Sequence, residues 1–149
     1  MHALKFQGKT ALARPLGDLM AEVGATMLPV DAVDCLVPVP LHPSREAERG
    51  FNQSALLANR VSRRWGVPVE ARALRRRRVT LPQTDLDASS RRANVRGAFA
   101  VSRPGAVDGR HVLLVDDVFT TGATVSECAR VLLDAGATAV GVLTVARVV

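Results

Sequence analysis

The chain has 149 residues, of which 48% are hydrophobic and 23% charged, with a formal net charge of +6. That length can bury most of its apolar surface as one domain without disulfides, and the hydrophobic share excludes a disordered chain. Aromatic residues make up 3%, with no Tyr and one Trp, so the core must be aliphatic.

In chain order, Thr10–Val23 has the spacing of a helix, with Leu12, Leu16, Leu19, Met20 and Val23 on one face and Pro15 in its opening turns. Cys35–Val39 reads as a short apolar strand ended by PVPLHP, where Pro38, Pro40 and Pro43 argue against helix and ladder alike. Asn52–Trp65 is a second helix, on a stripe of Ala55, Ala58, Val61 and Trp65. Val67–Val69 reads as a strand, with Ala71–Leu74 a further candidate. Arg75–Ser90 lacks periodicity and contains Pro82, the pattern of a flexible loop. A short helix over Ser89–Val95 follows, then strands at Ala98–Val101, His111–Asp116 and Ala139–Val145. Between the last two, Thr124–Ala135 is a helix that stops at Gly136.

Strands alternating with helices, and apolar on both faces at 35–39, 112–116 and 139–145, predict an α/β fold: a central parallel sheet flanked by helices, one domain over 1–149. In such folds ligands bind at the carboxyl ends of strands. PVPLHPSREAERG and DDVFTTGAT both fall on that edge, so they are expected to form one site. Apolar runs such as Ala139–Val145 are too short to span a bilayer. The opening MHALKFQGKTALARPL lacks a signal-peptide core. Cys35 and Cys128 have neither CxxC nor His spacing, which reads as two reduced, buried thiols in a cytoplasmic protein with no zinc site and no membrane partner.

The run VLLVDDVFTTGAT, Val112 to Thr124, carries the chemistry. Asp116 and Asp117 repel one another, so an ordinary fold gains little from placing them side by side. Thr120, Thr121, Gly122, Ala123 and Thr124 follow, leading into the N-terminus of a helix whose free N–H groups attract an anion. This is a phosphate cradle, but GxxxxGK[ST] is absent, so it is not a Walker A loop. The acids cannot hold the phosphate; they suit a diol, or a cation bridged through water. A sugar phosphate has that layout.

The same thirteen residues resemble the phosphoribosyl-pyrophosphate motif of type I phosphoribosyltransferases along its whole length. PVPLHPSREAERGFNQSALLA, PQTDLDASSRRANVRGAF and HALKFQGKTALARPL are similar to segments of the ComF family of competence proteins, which is amidophosphoribosyltransferase-like. The family's usual upstream Cys cluster, its N-terminal zinc-binding segment, has no counterpart in this sequence. The resemblance implies a type I phosphoribosyltransferase fold with a reduced hood. It implies that Asp116 and Asp117 hold the ribose hydroxyls and favour a cationic transition state, as the catalytic residues. Phe119, Thr120, Thr121, Gly122, Ala123 and Thr124 would form the 5′-phosphate loop, with Phe119 alternatively plugging the core beneath it. Pro40–Gly50 would be the pyrophosphate loop, with Arg45 and Arg49 for the leaving diphosphate. Arg76, Arg77 and Arg78 would belong to a flexible loop, about 75–90, that closes over the site. Mg²⁺ would accompany the pyrophosphate, held by ligand and water oxygens more than by protein. Gln83, Arg91, Arg92 and Asn94 recur in the pattern without a derivable role.

Each residue also has a plainer reading. A receiver domain begins with a similar VLLVDD run, but the 32 residues after Asp117 are too few for the rest of one. His42 reads as a loop residue, Arg45 and Arg49 can pair with Glu46 and Glu48, and Arg75–Arg78 can be a solvated patch. Between positions 60 and 103, twelve arginines stand against three acids, an excess that favours anionic partners or else marks a solvated surface. Two functions are therefore expected. One is an enzyme that transfers phosphoribosyl from phosphoribosyl pyrophosphate to an unidentified nitrogen acceptor. The other is a non-catalytic ComF-type module whose arginine-rich surface binds single-stranded DNA or proteins of the DNA-uptake machinery. Few aromatics argue against base stacking. A homodimer is compatible with either.

Overall fold

The computed structural model describes residues 10–80 and 86–148. The start of the HALKFQ segment, Gln83 and the middle of the 75–90 loop lie outside the described residues.

Strand β1 (Cys35–Pro38) is buried at all four positions. It pairs in parallel with β4 (His111–Phe119), Cys35 opposite Val112 and Pro38 opposite Val115. On its other side, β4 pairs in parallel with β5 (Ala139–Arg147), from His111 opposite Ala139 to Phe119 opposite Arg147. The predicted strand at Val67–Val69 is reduced to one parallel bridge, Val69 to Leu36, beyond β1. The sheet is apolar on both faces because both are covered. Val112 and Leu114 belong to one core cluster, and Leu113 and Val115 to the other. This alternation is the strand period at work.

Helix α1 (Ala13–Met27) follows a 3-10 turn at Thr10–Leu12 and packs with α3 (Gln53–Trp65) on the Leu113 face. Its buried residues are Ala13, Gly17, Met20, Ala21 and Gly24, so only Met20 of the predicted stripe is fully buried. Leu19 and Val23 are 54% and 47% exposed. Close approach decides this. A Cβ on Gly17 would lie 2.5 Å from Arg60 Cβ, and one on Gly24 would lie 3.0 Å from the Trp65 ring. Trp65 Nε1 donates to the Ala21 carbonyl at 3.0 Å, and Arg60 pairs with Asp18 at 2.7 Å. Small residues let the backbones meet; Leu12, Leu19 and Val23 are left outside, while Leu16 packs at the edge of the cluster.

On the other face lie α5 (Ala123–Asp134), α4 (Ala88–Val95) and an antiparallel ribbon of β2 (Leu74–Arg76) with β3 (Phe99–Val101). The expected loop of 75–90 is thus strand at its start and helix at its end. A further helix, α2 (Pro43–Arg49), was missed because three prolines argued against it. Pro43 sits in its first turn, where no N–H is needed. His42 caps it, its Nδ1 accepting from Ser44 N–H at 3.2 Å, and Gly50 closes it at φ +85°. No described helix is long and apolar enough to cross a membrane.

Candidate active site

The carboxyl ends of β1 and β4 open into a cleft of about 750 Å³. Asp116 and Asp117 line it, yet they are only 9% and 1% exposed. β4 does not end at them; it continues to Phe119 because β5 extends alongside to Arg147. Asp116 Oδ1 accepts from Ser54 Oγ at 3.0 Å and from the Asp117 N–H at 2.9 Å. Asp117 Oδ1 accepts from the Val118 N–H at 2.8 Å. These donors offset the repulsion between neighbouring carboxylates and hold them in place. Ser54 reaches Asp116 because Asn52 caps α3: its Oδ1 accepts from Ser54 N–H at 2.9 Å, and its Nδ2 donates to the Val39 carbonyl at 3.2 Å.

The turn after β4 supplies the next wall. Phe119, Thr120, Gly122, Ala123 and Thr124 line the cleft, whereas Thr121 does not, its Oγ1 accepting from the Ala123 N–H at 3.4 Å. Gly122 takes the left-handed conformation, φ +80°, and starts α5 without any side-chain cap. The helix therefore begins beside the cleft, with Gly122, Ala123 and Thr124 on its wall. A Cβ at Gly122 would sit 2.7 Å from the Phe119 ring. Phe119 thus buttresses the turn from below, and Arg147 stacks on that ring at 5.5 Å.

Opposite the acids stands a group of arginines. Arg45, Arg49, Arg76 and Arg91 all line the cleft, with Glu48, Gln53 and Thr80. Arg45 donates to the Thr80 carbonyl at 2.9 Å, and Arg49 to Gln53 Oε1 at 2.8 Å. Arg76 lies in β2 rather than in a loop, with its guanidinium over Phe99 at 5.1 Å. Burial, and then the nearby Arg45 charge, push its pKa below the usual arginine value. Arg77 and Arg78 are exposed and stay outside the cleft; Arg78 donates to the Arg96 carbonyl at 2.7 Å. Of the expected arginine loop, then, one member reaches the site. Nine of the twelve arginines between 60 and 103 are exposed.

Ser54, Thr80 and Glu48 went unrecognised in the sequence. The capping pattern Asn-Gln-Ser at a helix start was readable, but nothing local tied Ser54 to a residue 62 positions away. Cys35 and Cys128 are buried, and burial raises both thiols above the usual cysteine range. Among the described residues no cluster of three or more His, Cys, Asp or Glu could hold a metal.

A parallel sheet with paired acids on its central strand, a glycine turn opening a helix, and a group of arginines thus meet around one cleft. The profile described as "Phosphoribosyl transferase domain" matches residues 52–148. The chain is 40% identical over 150 residues to the DNA utilization protein YhgH of Escherichia coli K12, covering 99% of this chain and 65% of that protein. It is 38% identical over 116 residues to Competence protein F of Haemophilus influenzae, covering 76% of this chain and 50% of that one. Among solved structures, the allosteric regulatory enzyme of purine biosynthesis superposes with a TM-score of 0.62 at 25% identity, over 91% of this chain and 26% of that chain. Glutamine phosphoribosylpyrophosphate amidotransferase from Bacillus subtilis has the same fold, with a TM-score of 0.59 at 24% identity over 89% of this chain and 26% of that chain. The chain belongs to the phosphoribosyl transferase domain family, as a ComF-like type I member. It spans 65% of the length of YhgH.

Proposed function

We propose that the cleft binds phosphoribosyl pyrophosphate and transfers the phosphoribosyl group to a nitrogen acceptor, releasing diphosphate. The observation that carries this reading is the placement of acids, phosphate turn and arginines around one cleft of about 750 Å³, a volume suited to a small molecule. The 119–124 turn and the α5 N-terminus would take the 5′-phosphate. Asp116 and Asp117 would accept hydrogen bonds from the ribose hydroxyls and favour positive charge developing on the ring as the C1–oxygen bond breaks. Arg45 and Arg49 would hold the diphosphate as it leaves with the bonding electron pair, while the acceptor nitrogen bonds to C1.

Because no described cluster of carboxylates could hold a metal alone, a Mg²⁺ would be carried by the donor's own oxygens and water, beside Asp116 and Asp117. Such an ion supplies neutralisation of diphosphate charge. Helix α1 contributes nothing to the lining of the cleft. Calorimetric titration with phosphoribosyl pyrophosphate, with and without Mg²⁺, tests the reading. Saturable binding strengthened by Mg²⁺ is expected, and no binding by the folded protein would overturn it.

The second reading is a non-catalytic module whose exposed arginines bind nucleic acid or competence proteins. The words "DNA utilization" and "Competence" in the relatives' names favour it. Contacts to phosphates would make nucleic-acid binding steeply salt-dependent, so a short oligonucleotide that fails to bind at ~50 mM salt removes the nucleic-acid form of this reading.

A further inference from the structure

Two guanidinium groups reach the cleft from different parts of the chain and end on one residue. Arg45 donates from Nη2 to the Thr80 carbonyl at 2.9 Å, and Arg76 donates from Nη2 to Thr80 Oγ1 at 2.5 Å. Thr80 is 5% exposed, and all three residues line the cleft. Like charges brought this close repel, and burial removes the water that would screen them. The Asp116 carboxylate offsets part of that repulsion at Arg76, and an anion in the cleft would offset more of it.

Arg76 is also fixed in orientation. Its strand register places it opposite Phe99, and the guanidinium lies on that ring. Its Nε is buried and meets no hydrogen-bond acceptor among the described residues. A buried N–H of a charged group left without an acceptor is costly. An oxyanion in the cleft would provide that acceptor.

We propose that Thr80 is a positioning residue that pins Arg45 and Arg76 into a preformed two-guanidinium site for the diphosphate end of the ligand. The site stands ready before any loop closes, because Arg76 belongs to β2 and not to a closing segment. Two planar forks on one neutral residue suit two adjacent phosphoryl groups, each fork taking oxygens in its own plane. This inference rests on reading the cleft as a sugar-diphosphate site.

The test uses the full chain and three probes: inorganic diphosphate, ribose 5-phosphate and phosphoribosyl pyrophosphate, each titrated calorimetrically. Thr80→Val removes the hydroxyl acceptor while keeping the shape and the carbonyl. It should weaken diphosphate binding about tenfold, leave ribose 5-phosphate affinity within about twofold, and be largely rescued by Thr80→Ser. Unchanged diphosphate affinity in Thr80→Val overturns the proposal, as does an equal loss for both probes, which would make Thr80 merely structural. If the wild type binds diphosphate but not phosphoribosyl pyrophosphate, the proposed function fails while the Thr80 comparison still decides the pin. A wild type that binds neither removes both. Should Thr80→Val not fold, Arg76→Lys keeps the charge but loses the fork. About a tenfold loss for diphosphate alone is then expected, and unchanged affinity overturns the proposal.

Discussion

At one end of the cleft, Asp116, Asp117 and the turn to Thr124 come from nine consecutive residues on and just after the central strand. At the other end, Arg45, Arg76 and Thr80 come from α2, from β2 and from the stretch after β2, and they meet only through tertiary contacts. The acid end is held by backbone N–H groups and by the cap of α3, so its geometry is locked into the sheet. The arginine end is held by side chains that bridge elements, so it depends on how those elements dock. A local motif can carry the recognition of a ribose phosphate, whereas a charge cluster of one sign has to be assembled from afar.

Breaking the acid end should give the largest effect. Asp116→Asn with Asp117→Asn keeps the oxygens that accept from Ser54, Asp117 N–H and Val118 N–H, but removes both charges. Phosphoribosyl pyrophosphate affinity should fall on the order of 100-fold, while the melting temperature holds or rises as the repulsion is relieved. Full affinity in that variant would remove the acids from the site.

Next is Gly122→Val. A Cβ at this position would be aimed at the Phe119 ring. A β-branched residue at φ +80° costs ~1–2 kcal/mol in backbone strain, before the ring is displaced. Thermal melting should show that loss, and ribose 5-phosphate affinity should drop about tenfold while diphosphate affinity holds. Adding Phe119→Ala should recover part of the stability; no recovery would mean that the ring is not the obstacle.

Arg45→Ala probes the arginine end in the opposite sense. Diphosphate affinity should fall about tenfold and ribose 5-phosphate affinity should stay put, the mirror of Gly122→Val. A variant that loses both equally would erase the distinction between the two ends.

The smallest effect concerns the support under the ribbon. Glu127 accepts from the Gly97 N–H at 3.0 Å and from Arg130, tying α5 to the turn between α4 and β3. The Arg130 hydrogen bond holds its carboxyl below the usual value of 4.5, against the cost of burial. A lowered folded-state pKa stabilises above 4.5, and that contribution disappears as pH falls through the folded value. Glu127→Gln should cost about 1 kcal/mol at neutral pH, and the difference from wild type should vanish in acid. Denaturant midpoints at pH 7 and below pH 4.5 read this out.

Much of this was legible in the chain. The apolar runs at 35–39, 112–116 and 139–145 predicted a covered parallel sheet, because only strands buried on both faces dispense with alternation. The acids and the glycine turn were legible because their chemistry is contiguous. Helix α1 was read correctly as a helix and wrongly as to its face. Leucine spacing signals burial only when nothing smaller permits a closer contact, and Gly17 and Gly24 permit one against Arg60 and Trp65. Pro43 hid α2 because a proline reads as a break unless it falls in a helix's first turn. The arginine run hid Arg76 for another reason. Strand period 2 turns Leu74 and Arg76 inward and Arg75 and Arg77 outward, and that period exists only once β2 pairs with β3.

The sequence by itself determined the α/β class, the order of the sheet-forming runs and the run of acids and glycine turn, since each is written in neighbouring residues and acts through short-range backbone geometry. Tertiary structure alone decided which α1 face is buried, which arginine of four enters the cleft, and that Ser54 and Thr80 serve it. Those outcomes depend on distances between segments dozens of residues apart, and steric fit, burial and like-charge repulsion set those distances only when the elements pack.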